Sequence, residues 1–140
     1  MDASVRFDTQ IIGAVPVIVH YFERLQLGEI IDEIVPWEGE VPLGTVVEIM
    51  IANRLINPQA LYRIGDWAHQ AGLTDYYGVT AEKLNDDLLG RALERLAKHA
   101  AVIEASLVTK MIKAFKVQVK QIHFDITDVE LYGAYDQQLV

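Results

Sequence analysis

The stretch Asn85-Asp86-Asp87-Leu88-Leu89-Gly90-Arg91-Ala92-Leu93-Glu94-Arg95-Leu96-Ala97-Lys98-His99-Ala100 decides the fold class. Leu89, Leu93, Leu96 and Ala100 recur at the spacing that puts them on one side of an α-helix. Asp87 and Arg91, and Glu94 and Lys98, stand four apart, where opposite charges support a helix. Thr80 and Asn85 are both candidate N-caps, since a short polar side chain accepts a hydrogen bond from the first helical turn. The period continues through Ile103, Leu107, Met111 and Phe115. No Gly or Pro interrupts it near His99, so residues 86–115 read equally as one long helix or two.

Upstream the language stays helical. Residues 5–12 read as a short strand or an extended lead-in. A helix is predicted from Pro16, because Pro suits the first helical turn, with Ile18, Tyr21, Phe22 and Leu25 inward and Leu27-Gly28 as its end. Glu29 to Val35 predicts a second helix with Ile30, Ile31 and Ile34 inward. Pro36 to Pro42 reads as an exposed turn. A third helix is expected from Gly44 to Ile56, burying Val47, Met50, Ile51 and Leu55, and Asn57-Pro58 breaks it. A fourth is expected from Gln59 to Ala71, and residues 73–79 as a loop. The third and fourth together have the outline of a helix-turn-helix presenting Gln59, Arg63, Asp66, His69 and Gln70. A plain packing pair fits the same pattern.

After Val117 the period changes from 3.6 to 2. Ile122, Phe124 and Ile126 alternate with His123, Asp125 and Thr127, which is strand language with an aspartate on one face. The expected fold is therefore mainly α. About six helices form one compact bundle, with a short C-terminal β-strand or hairpin. The expected division is a helical domain over 1–116 and a strand or hairpin over 117–140.

Composition narrows the functions. The chain has 140 residues, is 51% hydrophobic and 23% charged, and contains no Cys. It is long enough for one cored domain, and disulfides, thiolate metal sites and a cysteine nucleophile are excluded. Met1-Asp2-Ala3-Ser4 lacks a basic start followed by an apolar run, and no apolar run reaches bilayer length, so a cytoplasmic protein without membrane contact is expected. Net charge is −8, which opposes a whole-domain nucleic-acid binder. The charge is uneven. Residues 1–90 are acidic and residues 121–140 carry four acids and no base. Between them Arg91, Arg95, Lys98, Lys110, Lys113, Lys116 and Lys120 face only Glu94 and Glu104. That band is the candidate DNA-phosphate contact; a solvated helix face is the other reading.

Catalytic signatures are sparse. No Gly-rich phosphate loop, nucleophile elbow or kinase motif occurs. His20, His69 and His99 sit on different segments, and none makes a ligand pair at i,i+4. Trp37, Trp67, Tyr76 and Tyr77 fit core or interface positions better than a base-stacking platform. Asp125 stands out, because aspartate is disfavoured inside a strand. Metal binding and an exposed edge position both account for it.

Three segments carry a family resemblance: Glu29-Ile30-Ile31-Asp32-Glu33, the run from Gly78 to Leu96, and His123-Phe124-Asp125-Ile126-Thr127. Leu84-Asn85-Asp86-Asp87 to Arg91-Ala92-Leu93 is the most specific part. The chain resembles the N-terminal portion of bacterial insertion-sequence transposases of the DDE type, in which a helical domain of unassigned function precedes a ribonuclease H-like core. The resemblance implies that Asp125 matches the first metal-binding carboxylate of the catalytic triad and Thr127 the hydroxyl residue two positions on. It implies Mg²⁺ as cofactor of the full-length enzyme, with none for this chain. The residues to Val140 hold no counterpart of the second Asp or the Glu. The expectation is an accessory domain or remnant, not an enzyme by itself, that helps recognise transposon ends or assemble the transpososome. The rival expectation is a protein–protein module without a DNA role. Mean hydropathy is +0.17, high for so acidic a chain, and a homo-oligomer is expected, with residues 117–132 as its contact.

Overall fold

In the computed structural model, residues 9–118 and 120 are described. They contain six α-helices: α1 (Val15–Leu25), α2 (Leu27–Ile34), α3 (Leu43–Ile56), α4 (Ile64–Gln70), α5 (Leu73–Tyr77) and α6 (Asp86–Phe115). Short 3-10 turns cover Leu61–Arg63 and Ala81–Lys83. The described residues contain no strand and no helix long and apolar enough to cross a membrane. The strand expected around Asp125 lies outside them, as does most of residues 117–132.

α3 is the centre. It is apolar on nearly every side, as a helix packed all round must be, and Leu43, Val46, Ile49, Ala52 and Asn53 have no exposure. α1 lays Val15, Val19 and Phe22 on the core, one face of a helix. Tyr21, expected inside, is 47% exposed, because the helix is covered along that single stripe. α1 ends at Gln26, not at Gly28. Gln26 adopts the left-handed conformation (φ 53°), its amide donates to the Glu23 carbonyl, and α2 starts at the next residue.

Gly28 serves a different purpose. A Cβ on Gly44 would fall 2.3 Å from the Gly28 carbonyl oxygen, so glycine at this crossing lets α2 and α3 approach backbone to backbone. Two carboxylates fasten the crossing reciprocally. Asp32 on α2 accepts from the Gly44 amide at 2.7 Å, and Glu48 on α3 accepts from the Gly28 amide at 2.9 Å. Each satisfies an amide in a first helical turn that has no partner within its own helix.

Between α3 and α4 the chain turns on Asn53. Its side-chain amide donates to the Asn57 carbonyl at 2.9 Å, and its oxygen accepts from the Gln59 amide at 3.0 Å. The helix expected over Gln59 to Ala71 is thereby shortened. Residues 57–60 are non-helical, a 3-10 turn follows, and α4 has seven residues. The loop expected over 73–79 holds α5, bounded by Gly72 and Gly78, both at positive φ. Leu55, expected inside, is 65% exposed.

Residues 86–115 form one helix of 30 residues, about 45 Å long. Asn85 caps it, accepting from the Leu88 amide at 2.9 Å. Only Leu88, Leu89 and Ala92 of this helix are buried. Leu93, Ala100 and Met111, all expected inside, are exposed. The helix keeps contact with α1 as far as Ala114 and Phe115, but among the described residues it is covered along part of its circumference alone, so its apolar period outlasts its cover.

Candidate nucleic-acid interface

The basic residues divide into two groups along α6. Arg91, Arg95 and Lys98 lie one helical turn apart and project from one side, because their spacings of four and three bring successive side chains into register. With Trp37, Glu38, Gly39 and Glu94 they line a depression of about 390 Å³. Trp37 is held there by its indole N–H, which donates to the Val41 carbonyl at 2.8 Å and closes the turn between α2 and α3. Arg91 is paired with Asp87 at 3.3 Å, the i,i+4 partner expected. Both side chains are largely exposed, so the pair is worth little and leaves the guanidinium able to exchange partners.

Lys110 and Lys113 form the second group, beside Ala105, Ser106 and Thr109. Roughly 18 Å of helix separates Lys98 from Lys110. At about 100° per residue, Lys113 falls in the same row as Arg91, Arg95 and Lys98. Lys110 is turned toward α1, where its ammonium donates to the Gln26 side chain. Arg24, which the charge pattern did not single out, joins this end. Its guanidinium donates to the Ala114 carbonyl at 3.3 Å and stacks 4.5 Å from the Phe115 ring centre. Lys116 is the left-handed residue that ends α6, and Lys120 is exposed. Asp125, His123 and Thr127 lie outside the described residues.

Four of the five polar residues expected on the fourth helix come together, although Gln59 and Arg63 lie before α4. Gln59, Arg63, Asp66 and Gln70 line a depression of about 380 Å³ with Asn57 and Trp67. His69 does not join it: its ring pairs with Thr74 at 3.2 Å. The buried Asn53 that shapes this corner was not singled out in the sequence. Its signal was an amide four residues before Asn57-Pro58, at the end of an otherwise apolar helix.

Carboxylates gather around α1, α2 and α3, where Glu23, Glu29, Asp32 and Glu48 line one depression. Burial lifts the Glu48 carboxyl above its ordinary value, against the hydrogen bonds of Tyr77 and Gly28 that pull it down. Tyr77 donates to Glu48 at 2.7 Å and Tyr76 to Glu23 at 2.5 Å. The bond to Glu23 pushes the Tyr76 hydroxyl up to about 12. Burial, then the bond to Glu48, pushes Tyr77 up as well. These groups hold helices together, and among the described residues no His, Asp and Glu cluster has metal-binding geometry.

No curated protein and no solved structure matches the chain. One family model does, over residues 7–113, from before α1 almost to the end of α6. On that match the chain belongs to the family described as a domain of unknown function, DUF4277.

Proposed function

We propose that this chain is the N-terminal accessory domain, or a remnant, of a DDE transposase. It helps the enzyme recognise DNA ends or assemble on them, and it is not catalytic by itself. The resemblance in Gly78 to Leu96 and in His123 to Thr127 suggests the enzyme. The observation that carries the DNA role is the row of cations on α6: Arg91, Arg95, Lys98 and Lys113 share one side of a single continuous helix. Such a row suits sequence-independent contact with phosphates, which positions a protein on DNA without reading bases. In a longer enzyme Asp125 would supply one carboxylate toward Mg²⁺. A single carboxylate makes a weak Mg²⁺ site, since such sites rely on several carboxylates and substrate oxygens.

The test is duplex-DNA binding by fluorescence anisotropy across a salt series. Wild-type affinity should fall as salt rises, with a slope near three or four, about one for each phosphate contacted. The triple reversal Arg95→Glu, Lys98→Glu, Lys113→Glu should lower affinity at least about tenfold and flatten the slope. Equal affinity of wild type and triple variant at every salt concentration would remove the DNA role. The second reading, a protein–protein module, is favoured by a separate observation, the apolar groove on another side of α6.

A further inference from the structure

α6 has three faces. One is buried through Leu88, Leu89 and Ala92, and one carries the basic row. The third walls an open groove of about 580 Å³, floored by Leu27 and Ile31 of α2 and closed opposite by Val47 and Ile51 of α3. The groove is almost wholly apolar: among the described residues Glu104 is the one charged residue lining it. Leu93 is 46% exposed at one end and Val108 43% at the other. Ala97 and Ala100 lie between them, exposed. Such a face on a chain this acidic is the kind that another protein surface covers.

We infer that this groove is the contact between two copies of the chain, the α6 helices crossing antiparallel about a two-fold axis near Ala100 and Ala101. This deepens the assembly half of the function proposed above and is independent of its DNA half. Three observations favour a second copy. First, the wall of the groove is itself a helix whose exposed residues 93, 97, 100, 104 and 108 repeat at spacings of three and four, so α6 offers both a row of knobs and the slot to receive one. An antiparallel crossing centred between 100 and 101 sets Leu93 against the partner's Val108. It sets Glu104 against the partner's Ala97, which is small enough to leave the carboxylate a path to water. A two-fold contact requires this self-complementarity.

Second, the charges permit it. Arg91, Arg95, Lys98 and Lys113 lie about half a turn of helix away from the groove, so the crossing brings no like cations together and leaves both basic rows outward. Third, the groove is large enough for a weak contact. A dozen residues line the groove, about half the number on each side of a standard interface. That predicts a reversible dimer, formed on the order of 100 µM and dissociated near 1 µM.

Sedimentation equilibrium of the full chain tests this. Two chains of net charge −8 repel, so added salt should tighten the dimer by screening, the reverse of its effect on DNA binding. Ala100→Glu and Val108→Glu, at exposed positions, should keep the helical circular dichroism of wild type and weaken association at least about tenfold, while Tyr62→Glu, outside the groove, should leave it unchanged. Because the chain has no Cys, Ala101→Cys gives an unambiguous cross-link. It should oxidise to a disulfide dimer, and Ser106→Cys on the basic side should not. A wild type monomeric at all these concentrations overturns the inference, whether the groove then proves open or covered by the chain's own residues 121–140. Dimers that survive both folded glutamate variants overturn it too. Neither result touches the DNA reading, which stands or falls on the triple reversal.

Discussion

α3 and α6 use apolar residues in opposite ways. α3 has apolar residues around most of its circumference and buries most of its length, because α1, α2, α4 and α6 all pack on it. α6 has a clear one-sided period and buries three residues of thirty. Periodicity states which residues would share a face. It does not state whether anything covers that face. A helix packed on every side loses its period, and a helix packed along part of its circumference keeps the period and exposes the rest of it.

The sharpest way to break this contrast is at the base of α3. Gly44→Ala forces a Cβ into the Gly28 carbonyl and should cost about 3 kcal/mol or more, because neither backbone can retreat without moving a helix. Urea denaturation measures it. An alanine variant as stable as wild type would mean that α2 and α3 do not cross so closely.

Within α6, Leu89→Ala and Leu93→Ala remove the same atoms one turn apart. Leu89 has no exposure and Leu93 is 46% exposed. The first should cost about 3 kcal/mol and the second under about 1 kcal/mol in dilute monomer. If the groove seats a second copy, the cost at Leu93 should grow with protein concentration, because binding to the folded state adds to stability. Equal costs at both positions in dilute solution would contradict the placement of the α6 core face.

The smallest effect concerns Glu48 on α3. Its carboxyl is raised from the ordinary value of 4.5, chiefly by burial. The folded chain therefore holds this proton more tightly than the unfolded chain. The contribution of Glu48 to stability falls as pH rises from 4.5 through the folded value. Glu48→Gln should remove that slope from a pH series of denaturation midpoints, and an unchanged slope would assign it to other groups. Above that window the variant still has an oxygen to accept the Gly28 amide.

Some of this was legible in residue order alone. Asn85 announced the start of α6 because a short polar side chain before an apolar period is what the first turn needs. The Asp87–Arg91 pair followed from a spacing of four. The polar edge of Gln59, Arg63, Asp66 and Gln70 could be read because charge and amide groups stay in water. The interior reading failed at Tyr21, Leu55, Leu93 and Met111, each apolar and correctly phased. Gly28 was misread as a stop for the same underlying reason: a glycine that ends a helix and a glycine that admits a neighbouring helix look identical in sequence.

The sequence by itself determined that the described residues are mainly helical and that the longest helical pattern follows Asn85. These properties depend on neighbours within a few residues. Only the tertiary structure decided that residues 86–115 form one helix with Arg91, Arg95, Lys98 and Lys113 in one row, that Gly28 and Gly44 meet, and that an apolar groove opens on the far side of that helix. Those depend on which surfaces run out of partners, and burial is a property of the whole assembly of helices.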